Sequence, residues 1–153
     1  MIREATLSDI DALLELARYF VPLTGAASLS ERRFRPELCK IIKSEHMLAL
    51  VAEHEGKVVG CLLGQIGRVW YSEDCYATDI GFVVLPDYSG IYAWLMAKKF
   101  VRWAKEQPKV VEVTMQISSG LGDTDRTGKM YESIGLKKMG GCYTVAVNAR
   151  AEQ

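Results

Sequence analysis

The segment running from residue 79 to residue 106 constrains the fold most. An apolar run, residues 80–85, stops at Pro86 and passes through Asp87-Tyr88-Ser89-Gly90 into a long amphipathic stretch. A strand that feeds a helix through a short glycine-containing turn is a ready anion site. The first N–H groups of a helix have no partner within it, and the helix dipole adds about half a positive charge at that end, so phosphate oxygens are stabilised there. Ligands that carry a pyrophosphate become the leading class. The bland alternative is a plain strand-to-helix connection, and this segment alone does not separate the two.

The rest of the chain narrows the choice. At 153 residues it suits one domain, residues 1–153, and folding at this size buries about two-thirds of the unfolded surface, enough for one substantial core. Nineteen Lys and Arg balance nineteen Asp and Glu, so there is no basic field of the kind that gathers nucleic acid or an anionic membrane. Neither is expected as a partner.

Cys39, Cys61, Cys75 and Cys142 form no CxxC pair, and His46 and His54 lie near none of them. No metal site is expected. Cys61 and Cys142 sit inside apolar runs and read as buried thiols, neither disulfides nor nucleophiles. The first residues, Met1-Ile2-Arg3-Glu4-Ala5, lack the regions of a signal peptide, and no apolar stretch approaches the ~20 residues that span a bilayer. A soluble cytoplasmic protein is expected.

Residues 2–5 read as a short strand, followed by cap candidates Thr6-Leu7-Ser8-Asp9 and a helix with Ile10, Leu13, Leu14, Ala17 and Phe20 on one stripe. Pro22 and Gly25 interrupt it. A second helix carries Pro36 near its start, Leu38, Ile41 and Ile42 on one side, and Arg32, Arg33, Arg35, Lys40 and Lys43 on the other. That basic side is either a solvated face or a contact for an anionic ligand. Residues 47–53 and 57–66 form a hairpin across His54-Glu55-Gly56, in which Gly60 and Gly64 mark bends or close approach of another backbone.

Residues 76–85 make a fourth strand, and the helix after it presents Ala93, Met96, Ala97, Phe100, Trp103 and Ala104 to the sheet. Residues 110–117 make a fifth strand, 118–125 a polar loop, 127–134 a short helix, and 136–147 a returning strand. The order implies an α/β fold with a mixed sheet and helices on both faces. Strands four and five, joined by the long helix, should run parallel with a right-handed crossover.

Four places in this order resemble the Gcn5-related N-acetyltransferases, the GNAT family, and together they cover nearly all of the chain. They are the opening Ile2-Arg3-Glu4-Ala5-Thr6-Leu7-Ser8-Asp9, the hairpin end Lys57-Val58-Val59-Gly60, the core residues 80–90, and the tail Arg126-Thr127-Gly128-Lys129-Met130-Tyr131-Glu132-Ser133-Ile134-Gly135-Leu136. The tail is similar to the family's Tyr-Glu-Lys-x-Gly-Phe segment, with Leu136 where Phe is usual. The resemblance implies a mostly antiparallel sheet with splayed parallel central strands.

The phosphate loop departs from the family pattern. That pattern reads Gln or Arg, two residues, Gly, one residue, then Gly or Ala; here the region is Ser89-Gly90-Ile91-Tyr92-Ala93, without the Arg or Gln and with one glycine fewer. The shortened turn looks more like the virus- and prophage-encoded branch. Because such loops bind through main-chain N–H groups, a lost side chain need not abolish binding, although it can weaken it.

Family membership would imply acetyl-CoA as co-substrate, lying where strands four and five part. Its pantetheine would pair with strand four at Phe82, Val83 and Val84, a main-chain N–H there would face the thioester oxygen, and Tyr88, Ser89, Gly90, Ile91, Tyr92 and Ala93 would hold the pyrophosphate. Tyr131 matches the family's tyrosine that returns a proton to the departing thiolate; the other reading is a ring packed beneath the cofactor. Asp79 falls where one branch carries the base that deprotonates the amine, or it is only a solvated strand start.

Simple alternation puts Asp79, Gly81, Val83 and Leu85 on one face of strand four. Glu73 and Asp74, beside Trp70 and Tyr71, are alternative bases, a lip for a cationic amine, or an ordinary turn.

Three function classes remain. One is an acetyl-CoA-dependent N-acetyltransferase acting on a primary amine by direct attack. Another is a non-catalytic acyl-CoA-binding module of the same fold. The third, an ATP enzyme, lacks the Gly-x4-Gly-Lys-Ser/Thr loop. The regions expected to wall the acceptor, residues 20–34 and 67–75, carry no motif that names it. The last strand could also pair across subunits in a homodimer.

Overall fold

The structure, a computed structural model, describes residues 1–25, 27–117 and 121–147. Its elements in chain order are β1 (Ile2–Glu4), α1 (Ile10–Thr24), α2 (Glu31–Lys43), β2 (Met47–His54), β3 (Lys57–Arg68), β4 (Cys75–Val84), α3 (Ile91–Lys105), β5 (Val110–Thr114) and α4 (Thr124–Ser133). The strands lie side by side in sequence order. The first four pair antiparallel and β4 pairs parallel with β5, as the intervening helix requires.

The apolar stripes decide which helix covers which face. Leu13, Leu16 and Leu38 from α1 and α2 pack on Ala49, Val51 and Cys61. On the opposite face Met96, Phe100, Val101 and Ala104 of α3 meet Leu50, Leu62 and Ala77, joined by Ile134 and Leu136 after α4. Alternate residues of β2 thus serve two cores, as expected of a sheet covered on both sides. Burial of Cys61 pushes its thiol up to about 12, which leaves it inert as a nucleophile.

Local chemistry fixes the corners. Glu55 and Gly56 both have positive φ, 49° and 78°, the geometry of a tight I′ hairpin between β2 and β3. At the chain start, Asp9 accepts from Arg3 through both carboxylate oxygens at 2.8 and 2.9 Å and from the Thr6 N–H at 2.8 Å. Arg3 also reaches Glu53 at 2.8 Å, so one guanidinium ties β1, the entry to α1 and the end of β2. Helix α1 continues past Pro22 to Thr24 and is closed by Gly25 at φ 70°. On α2, Arg35 pairs with Asp11 at 2.7 Å and Lys40 with Glu37 at 3.0 Å, the behaviour of a solvated charged face.

Besides the expected break at Pro22, which α1 runs through, three sequence expectations are corrected. The first concerns alternation in β4, where the register skips a residue: Gly64 faces Asp79, but Leu63 faces Gly81. Ile80 is the extra residue of a β-bulge and is left exposed. A bulge reverses the face of everything beyond it. Asp79, opposite Gly64, shares the α3 face with Ala77, whereas Val83 lies in the α1/α2 core. Asp79 and Val83 therefore do not share a face.

The second correction is residues 136–147. They form no strand among the described residues, and Met139, Tyr143, Val145 and Val147 stand exposed. Their apolar alternation pairs with neither edge of the sheet among the described residues, although β5 presents one. Cys142, in the same segment, is exposed too. The third concerns element ends: β5 stops at Thr114, short of residue 117, and α4 starts at Thr124, because the Asp123 carboxylate caps it by accepting the Arg126 N–H at 3.0 Å. Of the expected loop 118–125, residues 118–120 lie outside the described residues.

The glycines of β3 mark close approach. A Cβ on Gly64 would stand 2.4 Å from the Phe100 ring, and one on Gly60 would stand 3.0 Å from the Val83 carbonyl oxygen. Gly64 thus makes room for a side chain and Gly60 for backbone. Among the described residues no helix is long and apolar enough to cross a membrane.

Candidate active site

The parallel ladder between β4 and β5 runs only from Cys75–Val110 to Thr78–Thr114, yet β4 continues to Val84. A specific contact ends the ladder. The Gln116 N–H donates to Asp79 Oδ1 at 3.0 Å, where a continued ladder would offer it a main-chain carbonyl. The Tyr131 hydroxyl donates to the Gln116 carbonyl at 3.3 Å. Both main-chain polar groups of Gln116 are thus taken by side chains, and the strands part.

Burial governs the chemistry of both side chains. It raises the Asp79 carboxyl above its ordinary value, opposed by the hydrogen bond from Gln116. Burial, with the negative charge of Asp79 second, raises the Tyr131 phenol well above its ordinary value. Asp79 is therefore a stronger base than a surface carboxylate, and Tyr131 keeps its proton.

Beyond Thr78 the edge of β4 that faces the gap has no strand partner among the described residues. The Leu85 N–H donates to Val59 on the β3 side at 2.8 Å, so alternation turns the main chain of Val83 toward β3 and that of Phe82 and Val84 toward the gap. Their side chains pack on the α3 core and that of Val83 on the α1/α2 core.

The turn at the end of β4 folds in two steps. A 3-10 turn, Pro86–Tyr88, is closed by the Tyr88 N–H to Leu85 at 2.9 Å, and the Ser89 hydroxyl is spent on the Pro86 carbonyl at 3.0 Å. Gly90 then takes φ 93°, a conformation that favours glycine. The first helical bond is Trp94 N–H to Gly90 at 2.9 Å, so the N–H groups of Ile91, Tyr92 and Ala93 have no acceptor in the helix. No side chain caps this end, and the first turn holds no acidic residue.

Two neighbours frame the turn. His54 Nδ1 lies 2.7 Å from the Tyr92 hydroxyl and its ring 5.0 Å from that of Tyr88, bracketing Ser89 and Gly90. From the other side α4 lies alongside: Trp94 Nε1–H donates to Ser133 Oγ at 3.2 Å, and Arg126 Nη2 lies 3.5 Å from where a Cβ on Gly90 would stand.

The structure thus brings Asp79 and Tyr131 together and leaves Glu73 and Asp74 apart from them. Asp74 is held by Ser72 in the β3–β4 turn, with Trp70 and Tyr71 exposed beside it. That turn precedes β4, whereas the gap opens past Thr78. Sequence reasoning missed Gln116 and His54, for which no local signal exists. Arg126 was visible in the tail motif without an assigned role. Among the described residues no group of three or more His, Cys, Asp or Glu could hold a metal ion.

Comparison with known proteins agrees with this architecture. A putative acetyltransferase from Agrobacterium tumefaciens str. C58 superposes with a TM-score of 0.72 at 20% identity, covering 96% of this chain and 99% of that one. Aminoglycoside antibiotic 6'-N-acetyltransferase AAC(6')-IG from Acinetobacter haemolyticus gives 0.68 at 20% identity, covering 97% and 98%. AAC(6')-Iy, solved with the bisubstrate analog CoA-S-monomethyl-acetylneamine, gives 0.70 at 16%, covering 97% of each. These identities speak to the fold alone. No curated protein matches the sequence. The family model described as the acetyltransferase (GNAT) family matches residues 12–123, and with that match across most of its length the chain belongs to the acetyltransferase (GNAT) family.

Proposed function

We propose that the protein is an N-acetyltransferase that moves an acetyl group from acetyl-CoA to a primary amine by direct attack. The observation that carries this reading is the parting of β4 and β5 at Asp79 and Gln116, with Tyr131 at the same point. The residues fit acetyl-CoA on two counts: an uncapped helix end with a positive-φ glycine, and a strand edge that has no partner among the described residues.

Bound there, acetyl-CoA supplies the activated acetyl thioester. The N–H groups of residues 91–93 bind the phosphates, while Tyr88, Ser89 and Gly90 shape the turn. The main chain of Phe82 and Val84 aligns the pantetheine arm and polarises the thioester carbonyl, and Val83 anchors the strand from the far core. Asp79 takes the proton that the amine gives up, and Tyr131 holds the one that the thiolate needs. No residue of the chain becomes acylated.

The neighbours whose names include aminoglycoside acetylation make amino sugars the first amines to try. The shortened turn Ser89-Gly90-Ile91-Tyr92-Ala93 is the basis for also reading the chain into the virus- and prophage-encoded branch. We also read it as a homodimer. β5 is an edge strand with Val111 exposed, and the exposed apolar residues of 136–147 follow a cavity of about 240 Å³ lined by Val101, Val110, Val113, Ile134 and Leu136. Light scattering at the mass of one chain would contradict that.

The test of activity is an amine panel with acetyl-CoA, run on wild type and Tyr131→Phe. Turnover that the variant loses supports the enzyme. Tight cofactor binding with no turnover on any amine supports a non-catalytic acyl-CoA-binding module, which the altered loop would suit.

A further inference from the structure

The turn after β4 contains no cation of its own, yet a cation stands over it. Arg126 projects from the first turn of α4, and its Nη2 lies 3.5 Å from the position a Cβ would take on Gly90. Its backbone N–H is used by the Asp123 cap. Among the described residues its guanidinium has no carboxylate partner. Arg126 is exposed, and Arg32, Arg33, Arg68 and Arg102 share its lack of a carboxylate; what sets it apart is its place beside Gly90. A positive charge beside the positive end of α3 is mildly unfavourable by itself and is relieved when an anion shares the space.

We infer that Arg126 is a phosphate-binding residue for the CoA pyrophosphate, supplying from α4 the guanidinium that the loop lacks. The inference rests on the acetyl-CoA reading above. A guanidinium offers paired donors to phosphate oxygens, and here it lies beside Gly90, the residue that precedes the free N–H groups of Ile91, Tyr92 and Ala93. A Cβ at residue 90 would sit in ordinary van der Waals contact with the guanidinium, so φ rather than space asks for glycine there. Because Arg126 and Tyr131 share α4, clamping the phosphate also steadies the helix that carries the phenol. Arg126 thereby makes the site select CoA thioesters over thioesters of pantetheine alone.

The test is titration calorimetry of acetyl-CoA into wild type, Arg126→Gln and Arg126→Lys, with S-acetylpantetheine, which lacks the pyrophosphate, followed by ligand-detected NMR. Losing one charge-assisted contact should weaken acetyl-CoA binding about tenfold or more in Arg126→Gln. Arg126→Lys should recover part of that loss, and S-acetylpantetheine should bind all three proteins alike. Equal acetyl-CoA affinity in wild type and Arg126→Gln would overturn the assignment while leaving the cofactor reading intact. An equal loss for both ligands would overturn it too, by showing that Arg126 only supports α4. Failure of wild type itself to bind acetyl-CoA would remove the cofactor reading and this inference together.

Discussion

Asp79 and Tyr131 meet at the main chain of Gln116: the aspartate accepts its N–H at 3.0 Å and the phenol donates to its carbonyl at 3.3 Å. Two residues from different elements thus terminate one ladder, and the gap they create is where they would act. Their roles as wedge and as catalyst are separable by mutation.

Asp79→Asn keeps an oxygen for the Gln116 N–H but removes the base, whereas Asp79→Ala removes both. If Asp79 is the base, both variants lose about a hundredfold or more in kcat/KM, and only Asp79→Ala also weakens acetyl-CoA binding. If Asp79 is only a wedge, Asp79→Asn stays near wild type. Steady-state kinetics with parallel calorimetry distinguishes the two.

The pH dependence follows from the direction of each shift. Asp79 is raised, so kcat/KM should fall on the acid side at a pH above the ordinary carboxylate range, and Asp79→Asn should lack that limb. The phenol of Tyr131 is raised as well, so activity should not decline on the alkaline side at the ordinary phenol value of about 10. Tyr131→Phe should lower kcat about a hundredfold with little change in acetyl-CoA affinity. A pH–rate profile from 5 to about 10.5 on the three proteins reads all of this.

The same shift bears on stability with the opposite sign from a paired carboxylate. A folded-state value raised above the unfolded one means that the native chain binds the extra proton, so stability falls as pH rises through that window. Asp79→Asn should therefore be at least as stable as wild type at neutral pH, and the difference should vanish in acid. Urea denaturation of both proteins at two pH values checks it.

Asp9 behaves in the usual way. Arg3 holds its carboxyl down to about 2 from the ordinary 3.8, so its contribution is fully present above the ordinary value and is lost as pH falls toward about 2. Asp9→Asn should cost about 1–2 kcal/mol at pH 7, because the half-buried Arg3 then keeps only the Glu53 carboxylate and the Glu4 carbonyl. Urea midpoints at pH 7 and about pH 2.5 should differ less in the variant than in wild type.

Gly64 has no room for a methyl group against the buried ring of Phe100. Gly64→Ala should destabilise by about 1–3 kcal/mol, and pairing it with Phe100→Leu should cost less than the sum of the single changes. Thermal melts of the four proteins in this cycle measure the coupling.

What was legible in the sequence was local. The α3 stripe from Met96 to Ala104 and the Glu55-Gly56 turn depend on near neighbours and formed as read, and the β4 run before Pro86 formed a strand, though not with the alternation read from it. The bulge at Ile80 was not legible, since nothing in Asp79-Ile80-Gly81 marks which residue will be skipped by β3; pairing decides that. Residues 136–147 misled for the same reason, because alternation describes a strand only when an edge receives it. Asp79 and Tyr131 were named from family resemblance, but their shared contact at Gln116 joins residues far apart in the chain. His54 gave no signal at all, since its partners Tyr88 and Tyr92 reach it only after β2 and α3 are packed.

The most direct measurement is calorimetric titration of acetyl-CoA into the purified protein, with ATP as the control. The account predicts saturable binding of acetyl-CoA, one per chain, at micromolar strength or tighter, and no comparable heat from ATP. No detectable acetyl-CoA binding would contradict it, because the uncapped end of α3 and the free edge of β4 would then lack the ligand that explains them both.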